Sequence, residues 1–435
     1  MKNFTLILLS LIAFCGSMSA QQEKGIIGYD NWLNPWTEFS PNKVDYNKPT
    51  QILSGKISKD TKLYKSDIYL LLGDVYVTDS TTLTIEPGTI IMGDFESKGS
   101  LIVSGGSKLV ADGTKTDPIV FTSNRSVKKP GDWGGVFVLG NAPMNTISKE
   151  STLNNGLLPK NAQYITYGGD NADDNSGILR YVRIEYAGKR TKGYDYFSGL
   201  TLAGVGQQTI VENVMVSYCE GKSFDILGGN LFLDKLVSYK SNGHDYEFNY
   251  GTQCKITNSL AVRSPYVSGP SVPRAMSVVS YHKKDEVDAA KEQTLVVAEN
   301  LTLINLSDDL DYDISVGLVN EAIFIGEDVS FISDKSVISG FNPAVVLDKK
   351  IKINADSMNK IQFTRTYFNN CNGNIFRDGF TNNDDLENWY GNRAFNNVYS
   401  KGPDSETFID VKNRKRPDFR LRINRIIASS DIIED

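Results

Sequence analysis

Short runs of alternating apolar and polar residues recur along the chain, separated by Gly, Asn and Asp. This period-two alternation predicts short β-strands, and the separating residues predict tight turns. Val214, Leu236 and Leu260 fall at equivalent points of successive runs, roughly 22 and 24 residues apart. Such a period, with several strands inside it, indicates a stacked solenoid. The clearest runs are 82–91, 100–111, 210–218, 232–239 and 255–262.

This period matches one coil of a parallel β-helix, which needs three short strands and three turns. Coils stack at an inter-strand distance of roughly 4.8 Å, so equivalent residues lie above one another and inward residues form apolar ladders. The sequence therefore predicts an all-β fold, a right-handed parallel β-helix with an N-terminal arm, protruding loops and one short inserted helix at 283–291. A β-sandwich is the alternative, but the long series of similar coils after Leu179 favours the solenoid.

The same pattern predicts how the chain is organised. The expected segments are a signal peptide (1–20), an N-terminal arm or cap over the first coil (21–50), the β-helix (51–400) with insertions at 145–163 and 265–292, and a C-terminal tail or cap (401–435).

The N-terminal residues are typical of an export signal. Lys2 supplies positive charge, residues 6–14 are apolar, and Ser17 and Ser19 suit a cleavage site. The apolar run is too short to span a bilayer. Lipoprotein anchoring through Cys15 is the less favoured alternative, because Phe14 stands where a small residue is preferred.

Composition narrows the range of partners. The formal net charge is -6 and the isoelectric point is about 5.3. A mildly acidic chain disfavours nucleic acid and anionic membranes as main partners. After export only Cys219, Cys254 and Cys371 remain, which is too few for a disulfide framework. We expect Cys219 and Cys254 to be buried apolar residues.

The loop at 170–177 carries the strongest metal-like pattern. Asp170, Asp173, Asp174 and Asn175 offer oxygen ligands at short spacing, as Ca²⁺ prefers. The spacing is not that of an EF-hand, and an Asx-rich turn would have the same composition. Calcium is therefore a hypothesis here, and a second acidic cluster lies at 308–313.

The repeat itself brings another group of acidic residues together. Asp225 and Glu247 are 22 residues apart, so we expect them on adjacent coils, with Asp245 and His244 nearby. Two close carboxylates couple their pKa values, bind a cation or hydrolyse a glycoside. Lys222 or Arg263 could supply the basic group of a polysaccharide lyase. The alternative is a set of solvated or ion-paired carboxylates on a solenoid face.

Aromatic residues form the third candidate site. Tyr194, Tyr196 and Phe197 lie in an expected loop, where exposed rings stack on sugars or on a partner protein. Packing of these rings over the edge of a coil is an equally good interpretation.

Several motifs resemble a family of exported right-handed parallel β-helix proteins of Bacteroidota, most of which are hypothetical proteins. The motifs cover most of the chain, and in combination they are fairly specific. They are LTIEPGT (83–89), DPIVFTS (117–123), PGDWGG (130–135), YGGD (167–170), DDNSG (173–177), YVRIEY (181–186), GLTLAGVG (199–206) and the late coil FNPAVVL (341–347).

The resemblance implies an envelope or surface location, and some relatives neighbour TonB-dependent receptor systems. This chain differs from many family members, since residues 242–248 replace an acidic run and no type IX sorting domain is visible. We therefore expect periplasmic or outer-membrane-associated residence. The leading prediction is a non-enzymatic binding or structural subunit that docks to an outer-membrane protein, such as a TonB-dependent transporter, or to a glycan. The alternative is a polysaccharide lyase or glycoside hydrolase acting on the β-helix face.

Overall fold

The chain winds through three parallel β-sheets, which we call A, B and C in the order in which each coil visits them. The computed structural model describes residues 24–28, 30–153, 157, 159–191, 196–267, 272–380 and 382–422. The predicted signal peptide lies outside these residues. Every pairing in the large sheet is parallel, and the connections wind right-handed, so the predicted all-β parallel β-helix is confirmed.

Strand lengths of three to ten residues set the size of each coil. Sheet A contains Leu101–Val103, Val136–Leu139, Leu200–Ala203, Phe224–Leu227, Tyr246–Asn249, Met276–Val278, Ile323–Ile325, Val345–Leu347 and Ile375–Arg377. Sheet B contains Thr61–Leu63, Thr82–Ile85, Lys108–Asp112, Asn230–Asp234, Gln253–Thr257, Thr294–Glu299, Val329–Asp334 and Ile361–Thr364. Sheet C contains Ile90–Gly93, Ile119–Ser123, Val237–Tyr239, Leu260–Arg263, Thr302–Asn305, Val337–Ser339, Tyr367–Asn369 and Val398–Ser400.

Four longer strands bend around a corner and join two sheets. Gln51–Ile57 and Ile68–Val77 join sheets C and A, while Gly177–Glu185 and Ile210–Ser217 join sheets B and C. The remaining short elements lie in loops or flanking segments. They are two antiparallel pairs (Ser151–Thr152 with Thr166–Tyr167, Phe408–Asp410 with Asp418–Leu421), helices α1 (Leu310–Ser315), α2 (Ala355–Lys360), α3 (Asp384–Tyr390) and α4 (Asp404–Thr407), and 3-10 turns at Pro41–Lys43, Ala162–Ile165, Lys284–Glu286 and Arg393–Phe395.

The core is a set of inward-facing ladders, because alternate residues of each strand point into the coil. In sheet A, Phe224 pairs with Tyr246, and their buried rings stack with centroids 5.2 Å apart. Burying each large apolar side chain contributes about 1.5–3 kcal/mol relative to exposure. The side chains at the outward positions of the same strands do not contribute to this core, so polar and charged residues can occupy them.

The register of one repeat differs from the prediction. Val214 and Leu236 are equivalent, but Leu260 pairs with Val237, so Ser259 takes the inward corner position instead. Leu260 is still buried, because the N-terminal arm covers the outer face of sheet C. Because this strand of sheet C is buried on both faces, its residues are apolar on both sides and do not alternate with polar ones. The alternation that would indicate its register is therefore missing.

The described part of the N-terminal arm and the C-terminal hairpin lie along the side of the β-helix, against the outer face of sheet C. Trp36 and Phe39 of the arm and Phe419 of the hairpin pack together on sheet C. Hydrogen bonds hold the arm: Gly25 N–H donates to the Lys335 carbonyl at 2.7 Å, and Ile27 N–H donates to the side-chain oxygen Asn258 Oδ1 at 2.8 Å. The apolar outer face of sheet C explains this placement, since it would otherwise be exposed.

The two predicted insertions leave the coils and meet each other. Thr146 forms an isolated antiparallel bridge with Val287, and Asn145 Nδ2 donates to the Ser280 carbonyl at 3.0 Å. The helix predicted at 283–291 is only a single 3-10 turn, because Val287 leaves it to form this bridge. Across the described residues, no helix is long and apolar enough to cross a membrane.

Candidate functional site

A groove with a volume of about 1040 Å³ lies on the outer face of sheet A. The two insertions form one wall through residues 146–153 and the 282–286 segment. Residues around Tyr196, in the loop before the strand Leu200–Ala203, contribute to the opposite wall. Connections between sheets can lengthen without disturbing the stacked strands, which is why loops wall a site on a rigid floor.

The floor is built by Asp225 and Glu247, which pair directly across adjacent coils as the repeat predicted. Their neighbours Phe224 and Phe248 point inward, so the strand alternation directs both carboxylates outward. Both remain largely covered, with Asp225 5% and Glu247 3% exposed, because the loops close over them. The fold therefore brings two carboxylates together in a sheltered groove.

Lys222 joins these carboxylates. Its Nζ lies 3.1 Å from Asp225 Oδ1 and 2.9 Å from Glu247 Oε1, in ion pairs with both. Burial opposes the charge of Lys222, but the two carboxylates outweigh burial and raise its pKa above the ordinary value. Burial also raises the pKa of Asp225, against the opposing effect of Lys222. The cluster thus contains a lysine that stays protonated at neutral pH.

Two histidines flank the cluster. His244 Nε2 lies 3.6 Å from Glu247 Oε2, and the Arg274 backbone N–H donates to His244 Nδ1 at 3.1 Å. Burial and the nearby Lys222, Arg274 and Arg263 lower the pKa of His244 to about 3, so its ring is neutral. Because Nδ1 accepts a hydrogen bond, the proton is on Nε2. His282 Nε2 lies 3.8 Å from Glu247 Oε1 and 3.0 Å from Asn249 Nδ2.

Asp245 is not brought into the groove. It is fully buried at the corner between sheets C and A, where its carboxylate pairs with Arg263 Nη1 at 2.9 Å and accepts from Ser238 Oγ. Its burial raises its pKa. The strand alternation that aims Glu247 outward does not extend to Asp245, since Asp245 lies in the turn before the strand Tyr246–Asn249.

The three predicted aromatic residues have different environments. Tyr196 lines the groove, half-buried, with the Arg190 guanidinium 5.8 Å from its ring. Phe197 also lines it but is 1% exposed and packs edge-on against Phe137 at 5.1 Å, so it supports the wall. Tyr194 lies outside the described residues.

Two further aromatic residues complete the groove and were missed in the sequence. Tyr250 is half-buried at the end of a floor strand, with its ring 5.7 Å from that of His282. Burial raises the pKa of Tyr167, on the antiparallel pair of the first insertion, to about 12. Tyr250 directly follows the strand that carries Glu247, and this position in the sequence could have identified it as a groove residue. Tyr167 comes from a distant segment and gave no such indication.

The acidic loop at 170–177 distributes its side chains among separate partners. Asp170 forms an ion pair with Lys149, Asp173 accepts from Gln207, and Asp174 accepts from Ser176 Oγ at 2.8 Å. Asn175 Oδ1 accepts from the Gly177 N–H at 3.0 Å, as in an Asx turn. Within the described part of the chain, no three His, Cys, Asp or Glu side chains are grouped to hold a metal ion. Calcium binding here stays a prediction.

The second acidic cluster has structural roles. Asp309 caps helix α1 by accepting from the Tyr312 N–H, and the buried Asp313 accepts from the Tyr266 hydroxyl at 3.1 Å. The cysteines 219, 254 and 371 are buried free thiols.

The chain belongs to the family of the pectate-lyase-like β-helix domain, whose model matches residues 55–405. This match covers the coils, the groove and both insertions. Comparisons with curated proteins and with solved structures gave no match. The family establishes the parallel β-helix, while the narrower resemblance to exported proteins of Bacteroidota stays a prediction.

Proposed function

We propose that this protein binds a glycan in the groove on sheet A and that it does so without cleaving it. One observation carries the proposal: Lys222, Asp225 and Glu247 form a linked, sheltered hydrogen-bonding group on the floor of a groove of about 1040 Å³. The volume is at the upper end of the roughly 300–1000 Å³ typical of ligand sites. Tyr196 and Tyr250 provide half-buried rings beside this group, suited to stacking on sugar faces.

The ion pairs favour binding over catalysis. Lys222 holds both carboxylates, so neither is free to act alone as an acid or a nucleophile. A lyase needs an unprotonated base, but Lys222 stays charged and His244 carries its proton on the nitrogen nearer Glu247. These features support glycan binding, because hydrogen-bonding groups held in a fixed geometry recognise a ligand without reacting with it.

Binding would be tested by calorimetry against a panel of defined oligosaccharides. Tyr250→Ala and Lys222→Met are each expected to weaken the affinity for the best ligand at least tenfold, which is about 1.4 kcal/mol. Tyr64→Ala is the matched control, because Tyr64 is 50% exposed and does not line the groove. If no panel member binds, or if all three variants bind equally well, the proposal is wrong.

Glycoside hydrolysis with retention is a second candidate, favoured by the carboxylate spacing. Both oxygens lie within 3.1 Å of Lys222 Nζ, so they are at most about 6 Å apart, closer than the roughly 6.5–9.5 Å of inverting enzymes. In this reaction Asp225, whose pKa is raised, would protonate the leaving oxygen while Glu247 attacks the anomeric carbon and the glycosidic bond breaks. A water molecule deprotonated by Asp225 would then hydrolyse the glycosyl ester of Glu247 and release the sugar with its configuration retained. Product formation followed by NMR would show the retained anomer first, and Glu247→Gln would abolish turnover but keep binding.

We also propose that the protein acts in the cell envelope. The export signal expected at residues 1–20 supports this, with lipidation at Cys15 as the less favoured alternative. An outer-membrane protein such as a TonB-dependent transporter is the proposed docking partner. Pull-down from detergent-solubilised envelope is expected to recover it in stoichiometric amount, and recovery of the protein alone would contradict docking.

A further inference from the structure

The charges that line the groove are strongly unbalanced. Of the described lining residues, five carry carboxylates and Lys222 is the one Lys or Arg. The carboxylate residues are Glu150, Glu220, Asp225, Glu247 and Glu286. Loops from three separate parts of the chain supply these acids around the floor, so the excess belongs to the whole groove.

The single lysine does not offset this excess for a ligand. Lys222 already forms ion pairs with Asp225 and Glu247, so its charge is used within the protein. His244 adds no positive charge, because its Nδ1 accepts a hydrogen bond from the Arg274 backbone N–H and its side chain is only 12% exposed. A ligand carboxylate on this floor would therefore lie beside two carboxylates without a cation of its own, and like charges in a sheltered site repel strongly.

Hydroxyl groups supply much of the remaining polar lining of the groove. Hydroxyl side chains follow the wall formed by the first insertion and the opposite loop, and they hydrogen-bond equally well to sugar hydroxyl and amino groups. They are Thr146, Ser148, Ser151, Thr152 and Thr191. Glu150 and Glu286 stand exposed at the rim. Glu286 also forms an exposed ion pair with Lys283 at 3.6 Å, which solvent weakens, so a charged ligand can compete for it.

We infer that the groove selects a glycan whose units carry protonated amino groups, that it binds neutral glycans more weakly, and that it rejects glycans bearing carboxylate or sulfate groups. This inference rests on the proposed glycan-binding function and specifies its ligand class. Ammonium groups would pair with the rim and floor carboxylates, while a uronate would face them.

The test compares three hexasaccharides of equal length in calorimetry: an oligoglucosamine, a neutral oligoglucose and an oligogalacturonate, each with EDTA and with millimolar calcium. The oligoglucosamine is expected to bind at least tenfold tighter than the oligogalacturonate in both conditions. Raising salt from 50 to 500 mM is expected to weaken the oligoglucosamine several-fold and to leave the neutral ligand nearly unchanged.

Charge reversal at the rim tests the cause. The double variant Glu150→Lys with Glu286→Lys is expected to shift the ratio of the two charged affinities at least tenfold toward the oligogalacturonate. Glu387→Lys, on the exposed face of helix α3 and outside the groove lining, is the matched control and is expected to leave the ratio unchanged.

The outcomes separate this inference from the proposed function. Oligogalacturonate binding that equals or exceeds oligoglucosamine binding, and that Tyr250→Ala abolishes, would overturn the charge selection while leaving the groove a glycan site. Absence of binding by all three sugars would overturn both. An unchanged ratio in the rim variant, with Glu387→Lys behaving identically, would also overturn the inference.

Discussion

Two ion-pair clusters occur on neighbouring coils, and they differ in what surrounds them. Arg263 and Asp245 form one at the corner of sheets C and A, with side chains 5% and 0% exposed. Lys222, Asp225 and Glu247 form the other on the floor of the groove, where the Lys222 side chain is 26% exposed. The corner guanidinium also donates to the carbonyls of Gly243 and Ser241, at 3.0 and 3.3 Å.

Both clusters pair a basic side chain with carboxylates, but the corner pair has a structural role and the groove cluster is placed to contact a ligand. At the corner, backbone carbonyls and a serine hydroxyl satisfy the charges, and the pair joins one turn to the next. In the groove, the ammonium has two carboxylate partners and borders an open cavity. Exposure to a cavity, and not the identity of the residues, therefore indicates which cluster a ligand can reach.

The largest expected effect comes from breaking the corner pair. Arg263→Met leaves the Asp245 carboxylate buried without its partner, which costs about 3–5 kcal/mol of unfolding free energy. Urea denaturation would measure the loss. The double variant Arg263→Met with Asp245→Leu is the control and is expected to recover most of the stability. A loss below about 1 kcal/mol for the single variant would show that the pair does not have this structural role.

His244, which lies between the two clusters, gives the next effect through pH. Its pKa falls from 6.5 in the unfolded chain to about 3 in the fold, so the unfolded chain binds the extra proton between these values. Stability should therefore fall, by on the order of a few kcal/mol, as pH is lowered from about 6.5 toward 3.

Comparison of denaturation curves for the parent chain and His244→Gln would isolate this contribution. The variant is expected to lose that part of the pH slope. His282→Gln is the matched control, because the His282 side chain is 57% exposed. Equal slopes in the parent and His244→Gln would contradict a neutral His244 in the folded chain.

Removing the charge of Lys222 from the groove cluster should reduce the unfolding free energy less than removing Arg263 from the corner ion pair. Lys222→Met brings Asp225 and Glu247 face to face without a cation, but water and loop movement can relieve them, so we expect a loss of about 1–2 kcal/mol. Lys222→Arg is the conservative control. Urea denaturation of the parent chain and both variants would measure the losses. If Lys222→Met loses as much unfolding free energy as Arg263→Met, the groove cluster has a structural role as large as that of the corner pair.

The exposed pair Lys149–Asp170, with side chains 70% and 71% exposed, should have the smallest effect. Asp170→Asn is expected to change stability by less than about 0.5 kcal/mol, because solvent screens such pairs. The same variant tests calcium. If the acidic loop binds Ca²⁺, millimolar calcium raises the melting temperature of the parent chain above its value in EDTA, and Asp170→Asn reduces that rise. No shift in the parent would end the calcium hypothesis.

Some errors of the sequence interpretation have a common physical origin. Leu260 was made equivalent to Leu236, yet it pairs with Val237 and lies on the outer face of sheet C, which the N-terminal arm covers. A strand buried on both faces loses the alternation that reports its register. Asp245 was grouped with Glu247 because they are close in sequence, but Asp245 precedes the strand and turns toward Arg263.

What the sequence determined by itself is the coil, since its period of about 22 residues reflects the length of chain needed for one turn of the solenoid. That period also placed Asp225 beside Glu247, because parallel register follows directly from the repeat length. The tertiary structure alone decided that insertions more than a hundred residues apart meet over these carboxylates, through Thr146 and Val287. Loop contacts depend on side-chain packing between distant segments, and no local pattern of residues records them.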